Sequence, residues 1–268
     1  MNTLLIPIDF TMATENALQY DVEIAKNHDF RLHLLHLISS ENDRSEAEQK
    51  LNDLVSKYQT DSEDKIQSEI AVGNIESDIG KTAEKINASF ILMGTHENST
   101  LSKIFGSKAI KVVSESKTPY ITIQEKGDLK TISKIAMTID LEKESIQIVE
   151  AAIELAKQFG SEIILVGGAH TDPTLKAKVA INVKTTRRLL AESRIKSSVE
   201  LLARKDFLDN FINYCSNYKV DLIAATYYPD TFTVFSTKFV QKLLENKAGI
   251  PVLTLDSLSV AKGGYYSF

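Results

Sequence analysis

Two aspartates each close a short apolar run, Ile6-Pro7-Ile8-Asp9 and Ile135-Ala136-Met137-Thr138-Ile139-Asp140, 131 positions apart. A carboxylate at the end of a buried strand can contact a ligand or hold the turn into the next helix, and both readings stand for Asp9. Asp140 reads as a strand-end cap. His36-Leu37-Ile38 and Met93-Gly94-Thr95-His96-Glu97 end two further apolar runs, and Gly106-Ser107 precedes a helical stretch that begins near Lys108. Unpaired amides at a helix start, with a hydroxyl alongside and a glycine that lets the backbone come close, suit a phosphate. The other reactive side chains converge on nothing. His33 and His36 stand three apart on a strand, so they face opposite sides and share no metal. His96 reads as a loop-orienting residue, and His28 and His170 fall in turns with no partner in view. Cys215 is the single cysteine, which excludes an internal disulfide, and without thiol or imidazole neighbours at ligand spacing it makes no zinc site. No serine or cysteine has the local setting of a nucleophile elbow. The chemistry on offer is phosphate binding.

The elements that must position these residues follow from periodicity. Leu4 to Ile8 reads as a buried strand, followed by a helical stripe of Ala13, Ala17, Tyr20 and Ile24 with Leu18, Val22 and Ala25 alongside. Leu32 to Ile38 is a second strand. Ser45 and Glu48 form an S-x-x-E capping box ahead of a helix carrying Ala47, Leu51, Leu54, Val55 and Tyr58. Ile66 to Val72 is a weaker strand, Gly73-Asn74 opens a helix with Ile75, Ile79, Ala83 and Ile86 inward, and Phe90 to Met93 is a strand again. A helix through Phe105, Ala109, Val112 and Val113 and a strand from Tyr120 to Ile123 close the series. The second half repeats that order, with strands at Ile135 to Ile139, Ile163 to Val166, Val199 to Leu202, Leu222 to Ala225 and Val252 to Leu255. Its helices carry Ile148 to Ala156, Leu175 to Val183, Phe207 to Cys215 and Phe239 to Leu244, which puts Cys215 in the core. Alternating strands and helices predict βαβ units on parallel sheets. The expected fold is α/β, two similar doubly wound, mostly parallel five-stranded sheets with helices on both faces. Domains are expected at 1–126 and 131–257, with Gln124 to Thr131 as the polar linker and 258–268 as a carboxyl-terminal tail.

Length agrees, since 268 residues at roughly 100 to 200 per domain fit two domains. The net charge of −5 gives no electrostatic reason for nucleic acid or an anionic membrane as partner. No apolar run approaches the roughly 18 residues of a membrane helix, and the amino terminus does not read as a secretory signal. Cytoplasmic residence is the expectation.

The chain resembles the universal stress protein family in a tandem, two-domain form. The resemblance rests on Ile6-Pro7-Ile8-Asp9 with Ala17-Leu18 in the following helix, Leu35-His36-Leu37, Val72-Gly73-Asn74, Ser89 through His96, and Pro119-Tyr120-Ile121-Thr122-Ile123. In nucleotide-binding members G-x-x-G, nine residues and then G-[ST] cradle ATP. The resemblance implies Asp9 and Leu37 at the base, Gly94 and Thr95 at the ribose and phosphates, and Gly106 and Ser107 at the phosphates. ATP is thus the implied cofactor, in the first domain only.

The first domain departs from that pattern, with Glu97 at the second glycine position and only eight residues, Asn98 to Phe105, before Gly106. A carboxylate there repels a triphosphate, although Lys103 and Lys108 offset part of it. The second domain runs Ala224-Ala225-Thr226-Tyr227-Tyr228-Pro229-Asp230 and then Ser236-Thr237-Lys238, where the tyrosines add bulk and Pro229 removes an amide donor. Three functions follow. The first in rank is a non-enzymatic stress-response binding or scaffold module with an unidentified protein partner, the second an ATP-binding stress regulator. An ATP-using enzyme of the adenylating pyrophosphatase type ranks last, because Asp9-Phe10-Thr11-Met12-Ala13-Thr14 lacks the S-G-G-x-D-S loop of that class. The resemblance further implies an intramolecular pseudo-dimer through the Tyr120 and Val252 strands, with a homodimer of the tandem chain as a further option. Tyr265, Tyr266 and Phe268 are expected to pack on a protein surface.

Overall fold

The computed structural model of the chain describes residues 2–58, 66–95, 116–124, 131–227 and 237–257. It divides into two compact units, Met1–Lys130 and Thr131–Phe268. The expected helix around Phe105 to Val113, the loop from His96 to Glu97, Gly106, Ser107, the Tyr228 to Ser236 stretch and the tail from 258 lie outside the described residues, as do the side chains of Ala13, Ala17, Tyr20 and Thr95.

In the first unit β1 (Asn2–Pro7), α1 (Met12–Asn27), β2 (Phe30–Ile38), α2 (Arg44–Tyr58), β3 (Ile66–Val72), α3 (Ile75–Lys85), β4 (Phe90–Thr95) and β5 (Tyr120–Gln124) follow in that order. The strands stand β3-β2-β1-β4-β5, every neighbouring pair parallel. Crossing helices are what parallel neighbours require, and they make β1 and β2 apolar on both faces. Leu4, Leu5, Leu32, Leu34 and Leu35 are buried accordingly. On one face Leu5, Leu35, Ile79, Ala83, Ile91, Met93 and Tyr120 form a core against which Leu37 packs. Of the stripe expected on α1, Leu18, Val22, Ile24 and Ala25 are buried.

One expected start is corrected. Ser45 does not cap α2, because a 3-10 turn over Glu41–Asp43 intervenes and the helix begins at Arg44. Ser40 caps that turn by accepting from the Asn42 amide at 3.2 Å. The Arg44 guanidinium ties it back, donating to Glu41 at 2.9 Å and to the Ile70 carbonyl at 3.2 Å. A polar residue one turn earlier won the cap because the chain had still to bend out of β2.

The second unit holds β6 (Lys134–Ile139), α4 (Val149–Phe159), β7 (Glu162–Ala169), α5 (Pro173–Glu192), β8 (Ser197–Ala203), α6 (Phe207–Asn217), β9 (Leu222–Tyr227), α7 (Thr237–Leu244) and β10 (Val252–Asp256). Its strands stand β8-β7-β6-β9-β10 with parallel registers, the order of the first unit. The copies differ at the first crossover. Where α1 begins at Met12, the second unit makes a 3-10 turn over Lys143–Ile146 and starts α4 only at Val149. Cys215 is fully buried on α6, and burial pushes its thiol up to about 12, which suits filler and not a nucleophile.

Candidate functional site

In each unit the sheet grows outward from its first strand in one direction and then returns to grow in the other. The crossovers through α1 and α3 in the first unit, and through α4 and α6 in the second, therefore leave on opposite faces, and a sheet of this kind takes its ligands beyond the carboxyl ends of the strands at that switch point. Register brings four of the expected residues to that edge of the first unit. Pro7 pairs with Leu35, so Asp9 stands beside Leu37 two residues on. Leu5 pairs with Ile91, which places Gly94 beside Ile8. Gly94 and Thr95 end β4 against Ile123 and Gln124. Asp9, Leu37, Gly94 and the backbone of Thr95 thus share one edge, while Gly106 and Ser107 lie outside the described residues.

Asp9 holds the turn into α1. Its Oδ1 accepts from the Thr11 amide at 3.1 Å, the Thr11 hydroxyl at 2.6 Å and the Thr14 hydroxyl at 2.8 Å. Thr11 is in turn the N-cap, accepting from the Thr14 amide at 3.4 Å. Between them Phe10 has a φ of 56°, a left-handed conformation that costs a non-glycine residue roughly 1 kcal/mol. Its ring meets the His36 ring with centroids 4.3 Å apart, and His36 Nδ1 lies 2.7 Å from the Ile8 carbonyl. The periodicity of Leu32 to Ile38 marks His36 as a strand residue, but nothing in the sequence pairs it with Phe10. Only the left-handed turn brings the two rings together.

The second unit fills its edge differently. Asp140 follows β6 at 6% exposure, and His170 follows β7 at 8%. Arg204, one residue beyond β8, donates from Nη1 to His170 Nδ1 at 3.4 Å, which corrects the expectation that His170 has no partner. That geometry requires a neutral imidazole. Burial first and the Arg204 charge second hold the His170 pKa below its ordinary value. Burial pushes the Asp140 carboxyl up, against the Leu141 amide and the Arg204 charge, which favour its charged form. Space for the arginine comes from Gly168, since a Cβ there would lie 3.0 Å from Arg204 Cγ. Asn182, buried on α5, donates to the carbonyls of Asp140 at 2.7 Å and Glu142 at 3.1 Å. Asp140 is therefore more than a strand-end cap. It is one of three ionisable groups brought together from three neighbouring strand ends.

Elsewhere, Asp21 is buried in α1, and burial alone raises its pKa to about 8. His33 Nε2 stands 3.6 Å from Glu69, which also accepts from Lys85 at 2.8 Å, so this group is an ion-paired sheet edge. Among the described residues no three His, Cys, Asp or Glu side chains gather as metal ligands, and no helix is long and apolar enough to cross a membrane.

Comparison with known proteins accords with the architecture. Residues 1–124 match the universal stress protein family. Universal stress protein G of Escherichia coli O157:H7 is 22% identical over 140 residues, an alignment taking in 46% of this chain and 98% of that protein. The crystal structure of a universal stress protein from Archaeoglobus fulgidus DSM 4304 superposes with a TM-score of 0.72 at 17% identity, covering 96% of this chain and 98% of that one. A functionally unknown protein from Pseudomonas aeruginosa PAO1 gives 0.66 at 14% identity over 98% of this chain and 95% of its own. At those identities the two structures speak for the fold, which both share over nearly the whole length. Residues 1–124 are thus similar to the universal stress protein family, in a chain about twice the length of one such domain.

Proposed function

We propose that this chain is a non-catalytic stress-response binding module that works through a protein partner, and that any adenine nucleotide it uses occupies the first unit alone. One observation carries the reading: the carboxylate at the switch point of each unit is already engaged by its own chain. Asp9 Oδ1 takes three donors from the turn it organises, and Asp140 is buried beside His170 and Arg204. Neither stands as a general base over an open crevice. Of the two edges only the first combines Asp9, Leu37 and Gly94 with a downstream Gly106-Ser107, and Arg204 lies across Gly168 in the second.

Mass spectrometry of small molecules released from freshly purified protein, followed by calorimetry with ATP, tests this. At most one site per chain is expected, lost in Gly106→Asp, which sets a charge at the phosphate position, and no phosphate is released on incubation. Two ATP sites, binding that survives Gly106→Asp, or turnover would overturn the reading.

A further inference from the structure

At the amino-terminal ends of β6 and β7, opposite the ionisable edge just described, the second unit carries an open groove of about 590 Å³. Lys134, Lys157, Arg194 and Lys196 line it, against the single carboxylate of Glu162. In a chain of net charge −5 that is a local reversal of sign. Two of the cations are accounted for. Lys196 Nζ donates to Glu162 at 2.8 Å, and Lys134 Nζ donates to the Tyr218 carbonyl at 3.1 Å. Lys157 and Arg194 have no ion pair or side-chain hydrogen bond among the described residues.

The ordinary explanation for cations here is the two helix ends, α4 and α5, that terminate at the groove. Helix ends carry roughly half a negative charge each and their last carbonyls need donors. Those carbonyls are already served by the backbone. The Ser161 amide donates to Ala156 at 3.0 Å, Arg194 to Ala191 at 2.9 Å and Ile195 to Leu190 at 2.8 Å. The turns that do this need left-handed residues, Gly160 at φ 70° and Arg194 at φ 60°. Arg194 holds that conformation without being glycine or asparagine, so its side chain is presented at the groove at some conformational cost. Even after both helix ends are counted, about two positive charges remain in excess.

We infer that this groove binds a small anion of two or more charges of the oligophosphate type, with Lys157 and Arg194 supplying the free donors. Arg offers the planar fork that suits phosphate oxygens, and Lys a movable point charge. Ser193 lines the same groove with a hydroxyl. In the first unit the positions matching Lys134 and Gly160 are Thr3 and Asp29, while Lys26 matches Lys157.

Isothermal titration of the full chain with inorganic tripolyphosphate at low salt tests the assignment. One equivalent is expected, weakened by salt as an exposed charge contact must be. The Lys157→Gln/Arg194→Gln variant should bind at least ~10-fold more weakly, a loss of about 1.4 kcal/mol, with its thermal unfolding unchanged. Gly106→Asp should bind tripolyphosphate like the wild type. No binding by wild type, equal affinity in the double variant, or loss in Gly106→Asp would overturn the assignment. The last result would instead place the anion in the first unit and leave the nucleotide reading standing.

Discussion

At the first unit's carboxyl edge Asp9 commits one oxygen to the turn that starts α1, beside a strained Phe10 whose ring is tilted against that of His36. At the second unit's edge Asp140 is buried next to a neutral His170 that accepts from Arg204. The strand order and the aspartate are the same, yet one edge is built from hydroxyls and aromatic rings and the other from ionisable groups. A shared fold thus sets where a crevice opens, while the residues just past the strand ends decide what fills it. Gly168 makes the difference concrete. Leu37 occupies the matching position in the first unit, whereas the absence of a side chain in the second lets Arg204 lie across the sheet.

The largest contrast to break lies one layer away. Asp21 is buried in α1, and the matching position in α4 is the buried Ala152. With its folded pKa raised to about 8, Asp21 stays protonated in the native state while the unfolded chain ionises it near pH 4. The unfolded state then holds fewer protons, so stability falls as pH rises through that window, by up to ~1.4 kcal/mol per unit for this group. Asp21→Ala removes the pH-dependent contribution. Urea unfolding at pH 5 and pH 8 should show the wild type losing stability over the interval by several kcal/mol more than the variant. Equal pH slopes in the two proteins would mean that Asp21 is ionised and paired in solution.

A smaller effect is expected from Asn182→Ala. It strips the donor from the Asp140 and Glu142 carbonyls and should cost ~1 to 3 kcal/mol, read as a lowered urea midpoint. A neutral result would show that water reaches those carbonyls. The smallest change sharpens the contrast directly. Gly168→Ala puts a methyl group 3.0 Å from Arg204 Cγ, a flexible neighbour that can swing away, so the stability cost should stay below ~1 kcal/mol. Its signature is a higher His170 pKa by NMR titration, because the Arg204 charge that helps hold it down has moved. An unmoved His170 titration would leave burial as the whole cause.

Periodicity and end signals carried the architecture. Apolar runs closed by Asp9 and Asp140 placed the first strand of each half, and the alternation of strand and helix led to two doubly wound sheets. Local chemistry misled at the Ser45 and Glu48 capping box, because a 3-10 turn capped by Ser40 precedes the helix and moves its start to Arg44. Strong local patterns survive folding because each hydrogen bond or apolar stripe involves neighbours in sequence. The contacts that distinguish the two edges do not share that property. His170 and Arg204 lie 34 positions apart and meet only because β7 and β8 pair in register, Gly168 beside Leu202. Asp21 looks like any polar helix residue until the helix is laid on its sheet. Spacing along the chain therefore determined which elements form and in what order, whereas burial and register, set only when strands and helices pack, decided which ionisable groups are neutral and which are paired.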